Sequence, residues 1–281
     1  MTAAPGFTDR PGPDPCRFFL KKTIRLKGLL RHWPERKDTF TGSTGTNIDG
    51  RRKTSQGIMC GRYSLICIDD LGKRFRVFDP SLGCKSKFNV APSQLMPVVV
   101  HREKNEMVMM QWGLIPHSVK NPQDSPHPIN ARAETLAETP LFRDLLPGNR
   151  CLVPASGFYE WLNEGRRKVP FYIHMKDRPV VAFAGLYDTW QDCYGEPYPT
   201  FTIVTTDANS VVSRLHERMP VILREEEEER WLAGPAPSAS EMRQILRPYR
   251  PEEMEAYPVS SRVNSPAVDD EELIRPLATL G

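Results

Sequence analysis

The sequence predicts an α+β fold: a single domain built on a curved, mainly antiparallel, barrel-like β-sheet with flanking helices. Two observations carry this. From residue 59 onward, short apolar runs of strand length recur, each broken by turn residues. Helical patterns are few and do not alternate regularly with the strands, which argues against a βαβ plan.

Strands are expected over residues 63–66, 96–101, 107–114, 151–155, 171–174, 180–187 and 201–205, where Val, Ile, Phe and Tyr cluster. A last strand over 258–264 is expected to close the sheet. Helices are expected over 69–75, over 136–146 with Glu134 or Thr135 near its cap, over 208–215 behind the capping run Asp207-Ala208-Asn209-Ser210, and over 225–232. The five consecutive glutamates from Glu225 to Glu229 read as a solvated helix face.

Residues 1–58 differ in texture. They carry Pro5, Pro11, Pro13 and Pro15, a basic stretch, and then a run rich in Gly, Thr and Ser. With no sustained period of 2 or 3.6, this segment is expected to be a mostly disordered basic extension. The domain is expected over 59–276, with a short tail at 277–281. The net charge of +3 splits unevenly: residues 1–58 hold 12 Lys/Arg and 5 Asp/Glu, a balance of +7, whereas the rest hold 26 and 30, a balance of −4. Any affinity of the domain for nucleic acid must therefore come from local clusters of cations.

No apolar run approaches the roughly 20 residues of a spanning helix, and no apolar signal core opens the chain. The expectation is a soluble cytoplasmic protein without membrane partners. The six cysteines at 16, 60, 67, 84, 151 and 193 show no C-x-x-C and no paired ligand spacing. No metal and no disulfide framework are expected, and Cys67 and Cys151 read as small buried hydrophobes.

Several polar residues occupy unusual settings. Glu160 lies between aromatics in Gly157-Phe158-Tyr159-Glu160-Trp161, a setting that raises a carboxyl's pKa and suits it to general acid–base work. Asn130 follows a Pro-rich loop, and His216 and Arg218 end an expected helix. Each alone has a bland reading: a surface carboxylate, a turn asparagine, a histidine at a helix C-terminus.

Taken together and in order, the motifs resemble those of the SOS response-associated peptidase (SRAP) family. They are Met59-Cys60-Gly61-Arg62-Tyr63, Phe88-Asn89-Val90-Ala91-Pro92, Trp112-Gly113-Leu114-Ile115-Pro116, Ile129-Asn130-Ala131-Arg132-Ala133-Glu134-Thr135, Gly157-Phe158-Tyr159-Glu160-Trp161 and His216-Glu217-Arg218-Met219-Pro220. The resemblance spans about 59–276 and implies an SRAP-type fold and a sensor of abasic sites in single-stranded DNA. It implies catalytic roles for Cys60, Asn130, Glu160 and His216. Arg62 and Arg132 would be phosphate contacts, Trp112 a stacking residue beside the lesion with Pro92 in a nearby loop, and Arg218 a further DNA contact. Read alone, Trp112 is equally a core residue on a strand, and Arg218 is a surface ion pair near Glu217. The resemblance implies no cofactor, and a crosslinker of this kind needs only a monomer. The short tail after the domain leads to the expectation of a compact prokaryotic member that associates with the nucleoid when bound to DNA. The classes implied are a thiol peptidase-type hydrolase and a lyase.

The chemistry can be argued independently of the resemblance. A neutral α-amine attacks the open-chain aldehyde of an abasic sugar and loses water to form an imine; the thiol then closes a thiazolidine. Only an N-terminal cysteine offers both groups, yet here Met59 and 58 further residues precede Cys60. A start at Met59 followed by methionine removal is the simpler route to a free amine; self-cleavage by a Cys60 thiol peptidase is the other. Two alternatives therefore stand beside the covalent sensor: a peptidase acting on its own leader, and a non-covalent DNA-binding module.

Overall fold

The computed structural model describes residues 61–68, 71–77 and 85–277. The expected extension over 1–58 and Cys60 itself lie outside the described residues. In chain order the first elements are β1 (Tyr63–Leu65), α1 (Leu71–Arg74), β2 (Lys87–Val90), β3 (Leu95–His101), β4 (Asn105–Trp112), β5 (Asn130–Arg132), α2 (Pro140–Arg143) and β6 (Arg150–Ala155). There follow β7 (Gly157–Glu164), β8 (Arg167–Met175), β9 (Val181–Gln191), β10 (Pro197–Asp207), β11 (Arg218–Pro220), β12 (Ile222–Leu223), α3 (Glu225–Leu232), α4 (Ala239–Ile245) and β13 (Met254–Pro258).

Two sheets form, and the fold is α+β as expected. The larger one runs β11-β10-β4-β3-β6-β9-β12, and β9 also pairs with β10, so five of its strands close into a barrel. Most pairings are antiparallel; the exceptions are β10 with β4 and β10 with β5, which run parallel. The smaller sheet is an open antiparallel one in the order β13-β8-β7-β1-β2. Its inner face packs on the barrel: the rings of Tyr63 and Phe158 each meet Phe183 of β9 with centroids 6.1 Å apart. The aromatic side chains at this seam, Tyr63, Phe158 and Phe183, are fully buried and belong to the main hydrophobic core.

The seven internal strands expected from the apolar runs form, with shifts at their ends. The helices form less well. The run 136–146 yields only α2, because Pro140 holds Thr139 extended (φ −77°, ψ 114°) and removes a backbone donor. The run 208–215 yields a single 3-10 turn at Val212–Arg214, since the Asn209 side chain accepts from the N–H groups of Val211 and Val212 and closes the turn. The last strand lies at Met254–Pro258 rather than 258–264, where Ser261–Asn264 is a 3-10 turn. Cys67 and Cys193 each take part in a disulfide, against the expectation of no disulfide framework and of Cys67 as a small buried hydrophobe; the absence of C-x-x-C or ligand-type spacing does not exclude such bonds. Cys151 is a buried free thiol, its pKa pushed up by desolvation.

Candidate active site

Glu160 is placed by the smaller sheet. Tyr63 of β1 lies opposite Phe158 of β7, and the Tyr159 N–H donates to the Arg62 carbonyl at 3.0 Å. One step further along this antiparallel register sets Gly61 across from Glu160. Glu160 is 3% exposed and shares the barrel-facing side of β7 with Phe158, two residues away. Tight packing here depends on Gly157. A Cβ at that position would stand 2.5 Å from the Tyr172 hydroxyl and 2.7 Å from the Ile173 carbonyl. Glycine lets Tyr172 reach Ser64, whose hydroxyl lies 2.9 Å away.

On the outer face of the same sheet, Arg62 is engaged. Its Nη1 donates to Asn89 Oδ1 at 2.8 Å and to the Val263 carbonyl at 2.7 Å. Asn89, buried in β2, donates through Nδ2 toward the carbonyls of Val263, Ser265 and Val268. Asp269 accepts from the backbone N–H groups of Phe88 and Asn89 and from Lys87 Nζ. Trp161 Nε1 donates to Asn264 Oδ1 at 2.8 Å. The segment after β13 is thereby strapped over the outer face, and Arg62 belongs to the clasp. Burial lowers its guanidinium pKa, with the Tyr159 hydroxyl acting in the opposite sense.

The barrel rim carries the other residues. β5 runs parallel to β10, with Asn130 opposite Ile203 and Arg132 opposite Thr205. β11 pairs with the same stretch of β10, setting Pro220 opposite Thr205 and Arg218 opposite Asp207. Asn130 and Arg132 therefore sit on one flank of β10, and the segment from His216 sits on the other. Asn130 is half-buried and Arg132 is exposed.

His216 is half-buried, and its Nδ1 accepts the Arg218 N–H at 3.1 Å. In the neutral ring this leaves the proton on Nε2. The Arg218 guanidinium forks onto Glu134 at 2.9 and 2.7 Å, and also donates to Asp207 at 2.6 Å and to the Thr205 carbonyl at 2.8 Å. Burial would raise the Glu134 pKa, but the hydrogen bond and charge of Arg218, a backbone N–H and Arg132 outweigh it and hold the carboxyl below its usual range.

Two expected DNA contacts are corrected by this geometry. Arg218, with its side chain 6% exposed, is an internal strut between β11, β10 and the turn after β5. Its charge is matched by two carboxylates, so it offers no open fork to a phosphate. Trp112 is fully buried and cannot stack on a base from this position. Its ring meets Tyr63 edge-on at 5.2 Å and stacks on Phe201 at 6.4 Å, while Nε1 donates to the Ile129 carbonyl at 2.9 Å. It ties β1, beside the strand of Glu160, to the residue before Asn130. Pro92 is half-buried at the second position of a turn closed by Gln94 N–H to the Ala91 carbonyl at 3.3 Å. Ser93 takes φ 70° there, the conformation a type II turn demands, and its N–H docks the turn on the Trp112 carbonyl.

Asn89 and Gly157 lie inside the quoted motifs without an assigned role, and Glu134, expected near a helix cap, instead accepts the Arg218 fork. The available signal was an amide or carboxylate set within an apolar run. Among the described residues, no group of three or more His, Cys, Asp or Glu is placed to hold a metal ion, and no helix is long and apolar enough to cross a membrane.

Comparison with known proteins agrees with the fold and the motifs. The chain is 41% identical over 221 residues to "Abasic site processing protein YoqW" of Bacillus subtilis, covering 77% of this chain and 99% of that one. It is 32% identical over 228 residues to "Abasic site processing protein HMCES" of Gallus gallus, covering 69% of this chain and 67% of that one. A crystal structure of a Bacteroides thetaiotaomicron protein superposes with a TM-score of 0.70 at 33% identity, covering 78% of this chain and all of that one. The family model described as SOS response associated peptidase (SRAP) matches residues 59–266. With its fold, its ordered motifs and these relatives in agreement, this chain belongs to the SRAP family.

Proposed function

We propose that this protein recognises abasic sites in single-stranded DNA and crosslinks to them through Cys60 once that residue is N-terminal. The observation that carries this is the β1–β7 register, which leads the chain before Arg62 to the buried Glu160 carboxylate. Membership of the family and the names of the relatives support it.

In the reaction, the α-amine of Cys60 adds to the C1′ aldehyde, and loss of water gives an imine. The thiol then adds to the same carbon while its proton passes to nitrogen, leaving a thiazolidine. One water is released and no redox partner is needed. Ring closure is intramolecular and so gains a large effective-molarity advantage over the open imine. Glu160 moves protons during amine addition and dehydration. His216, its Nδ1 held by the Arg218 N–H, assists opening of the sugar and reversal of the link. Asn130 orients the sugar or the amine, and Arg132 engages a flanking phosphate. The protein acts in the cytoplasm of a prokaryotic cell, as a monomer on nucleoid DNA.

The test compares the chain begun at Cys60, the full 281 residues, and Cys60→Ala in the short form, each mixed with single-stranded DNA bearing an abasic site. A denaturant-resistant adduct from the short wild-type form alone is the expected result. Equal adduct from an uncleaved full-length chain would overturn the mechanism. Thiol-dependent cleavage between Met59 and Cys60 in the full chain would establish the peptidase as the step that frees the amine.

A further inference from the structure

The strands β7 and β8 continue past the site as a hairpin whose tip is strongly cationic. Glu164 lies opposite Arg167, so the loop is the two residues Gly165 and Arg166. Gly165 takes φ 60° and Arg166 is not in the left-handed region, the pattern of a tight primed turn that keeps the tip ordered. Arg166, Arg167 and Lys168 are all exposed. No side chain of the three makes a hydrogen bond or ion pair with any described residue.

Many exposed arginines elsewhere are neutralised: Arg76 by Glu229, Arg102 by Glu106, Arg262 by Asp270 and Arg275 by Glu272. Arg214 and Arg243 are exposed without an ion pair to a described residue, but each stands alone in the sequence. Residues 59–281 carry a net charge of −4, so three adjacent unpaired cations make a local exception. Arg132, beside Asn130 on the barrel rim, is likewise exposed and unpaired.

The register also fixes where the tip lies. Arg167 is on the same face of the sheet as Glu164, Leu162 and Glu160, because side chains alternate along a strand. Gly165 lies five positions beyond Glu160, about 17 Å at ~3.3 Å per residue. Arg167 thus stands on the Glu160 side of the sheet, with Arg166 in the turn beside it and Lys168, opposite Asn163, on the other face. All three lie well beyond the reach of one nucleotide held at the site.

We propose that the β7–β8 tip is a second phosphate contact, binding the backbone of the single strand as it runs away from the lesion. Arg166, Arg167 and Lys168 hold the flanking strand by charge, without reading its sequence. This rests on the reading of the site as a binder of single-stranded DNA.

The test measures binding of a fluorescent, lesion-free single-stranded oligonucleotide by anisotropy over a salt series. It uses the chain as expressed, with the first residue of every variant verified by mass spectrometry. At about 0.7 per phosphate contact, Arg166→Ala/Arg167→Ala/Lys168→Ala should lower the slope of log K against log salt by about 2 and weaken binding at least about tenfold at 0.1 M salt. Its Tm should not change, because the side chains are exposed and unpaired. Arg166→Lys/Arg167→Lys should retain the slope. Arg76→Ala/Arg102→Ala/Arg275→Ala removes the same charge at paired positions and should leave the slope nearly unchanged. Equal losses from both triple variants would overturn the proposal in favour of net charge. Wild-type binding with an unaltered slope in the tip variant would overturn the proposal while leaving the site intact. No binding by the wild type would overturn both.

Discussion

The two halves of the site are held by opposite kinds of interaction. On the sheet side, Asn89 is a neutral amide that ties Arg62 to three carbonyls of the C-terminal strap. On the barrel side, Arg218 is a buried cation between Glu134 and Asp207, and its own N–H fixes His216. A neutral amide keeps its partners at every pH at which the protein folds. An ion pair keeps them only while its carboxylate is ionised. The Arg218 hub that orients the imidazole is therefore sensitive to acid, whereas the Asn89 hub is not. On the sheet side that sensitivity is confined to Asp269, which holds Lys87 and the N–H groups of Phe88 and Asn89.

The largest effect that sharpens this contrast is chemical. Glu160→Gln keeps the side-chain shape in β7 but cannot relay a proton, and should slow adduct formation by about 100-fold or more with the fold retained. Single-turnover rates alongside a thermal melt measure it; a melt lowered together with the rate would show that the residue acts through packing.

Next is Asn89→Ala, which removes a buried hub and leaves carbonyls and the Arg62 fork unsatisfied. A loss of about 3 kcal/mol is expected, read as a lower urea midpoint at constant slope. The same loss at pH 5 and pH 8 would confirm its neutral character.

Gly157→Ala follows. The added Cβ must displace Tyr172 or the β8 backbone at a cost of about 2 kcal/mol, which calorimetry can measure.

The smallest expected effect is at Glu134, whose side chain is 46% exposed. Glu134→Gln should cost about 1 kcal/mol or less at neutral pH. The sign follows from the direction of its pKa. A carboxyl held below its usual range stabilises the fold above the unfolded value near 4.3, and that contribution is lost as pH falls through the lower folded value. Stability of the wild type and of Glu134→Gln should converge once the pH has fallen below that lowered folded value. A gap that persisted in acid would assign the effect to packing instead of charge.

Much of the architecture was legible because a strand writes itself locally. Val98, Val99 and Val100, or Phe183 to Leu186, have few other places to go than a buried sheet. The helices were less legible because their ends depend on single residues: Pro140 cut one short, and the Asn209 side chain replaced another with a turn. The site was legible in its motifs and not in its assignments. An arginine in a motif reads the same whether it faces phosphate or Glu134, and only the register of β11 on β10 separates Arg132 from Arg218. Trp112 was similarly ambiguous until the parallel pairing of β4 with β10 set it beside Phe201.

That parallel pairing has a consequence for how the chain assembles. β10 bonds to four strands, β4, β5, β9 and β11, and two of these pairings span long stretches of sequence. Contacts of that separation form slowly, because loop closure must precede them. A nascent chain that has emerged only as far as Gln191 holds β3, β4, β6 and β9 with β4 and β9 still unpaired on their β10 sides, edges open to another copy. Synthesis of β10 is the moment at which the barrel stops being an aggregation hazard and becomes a closed surface.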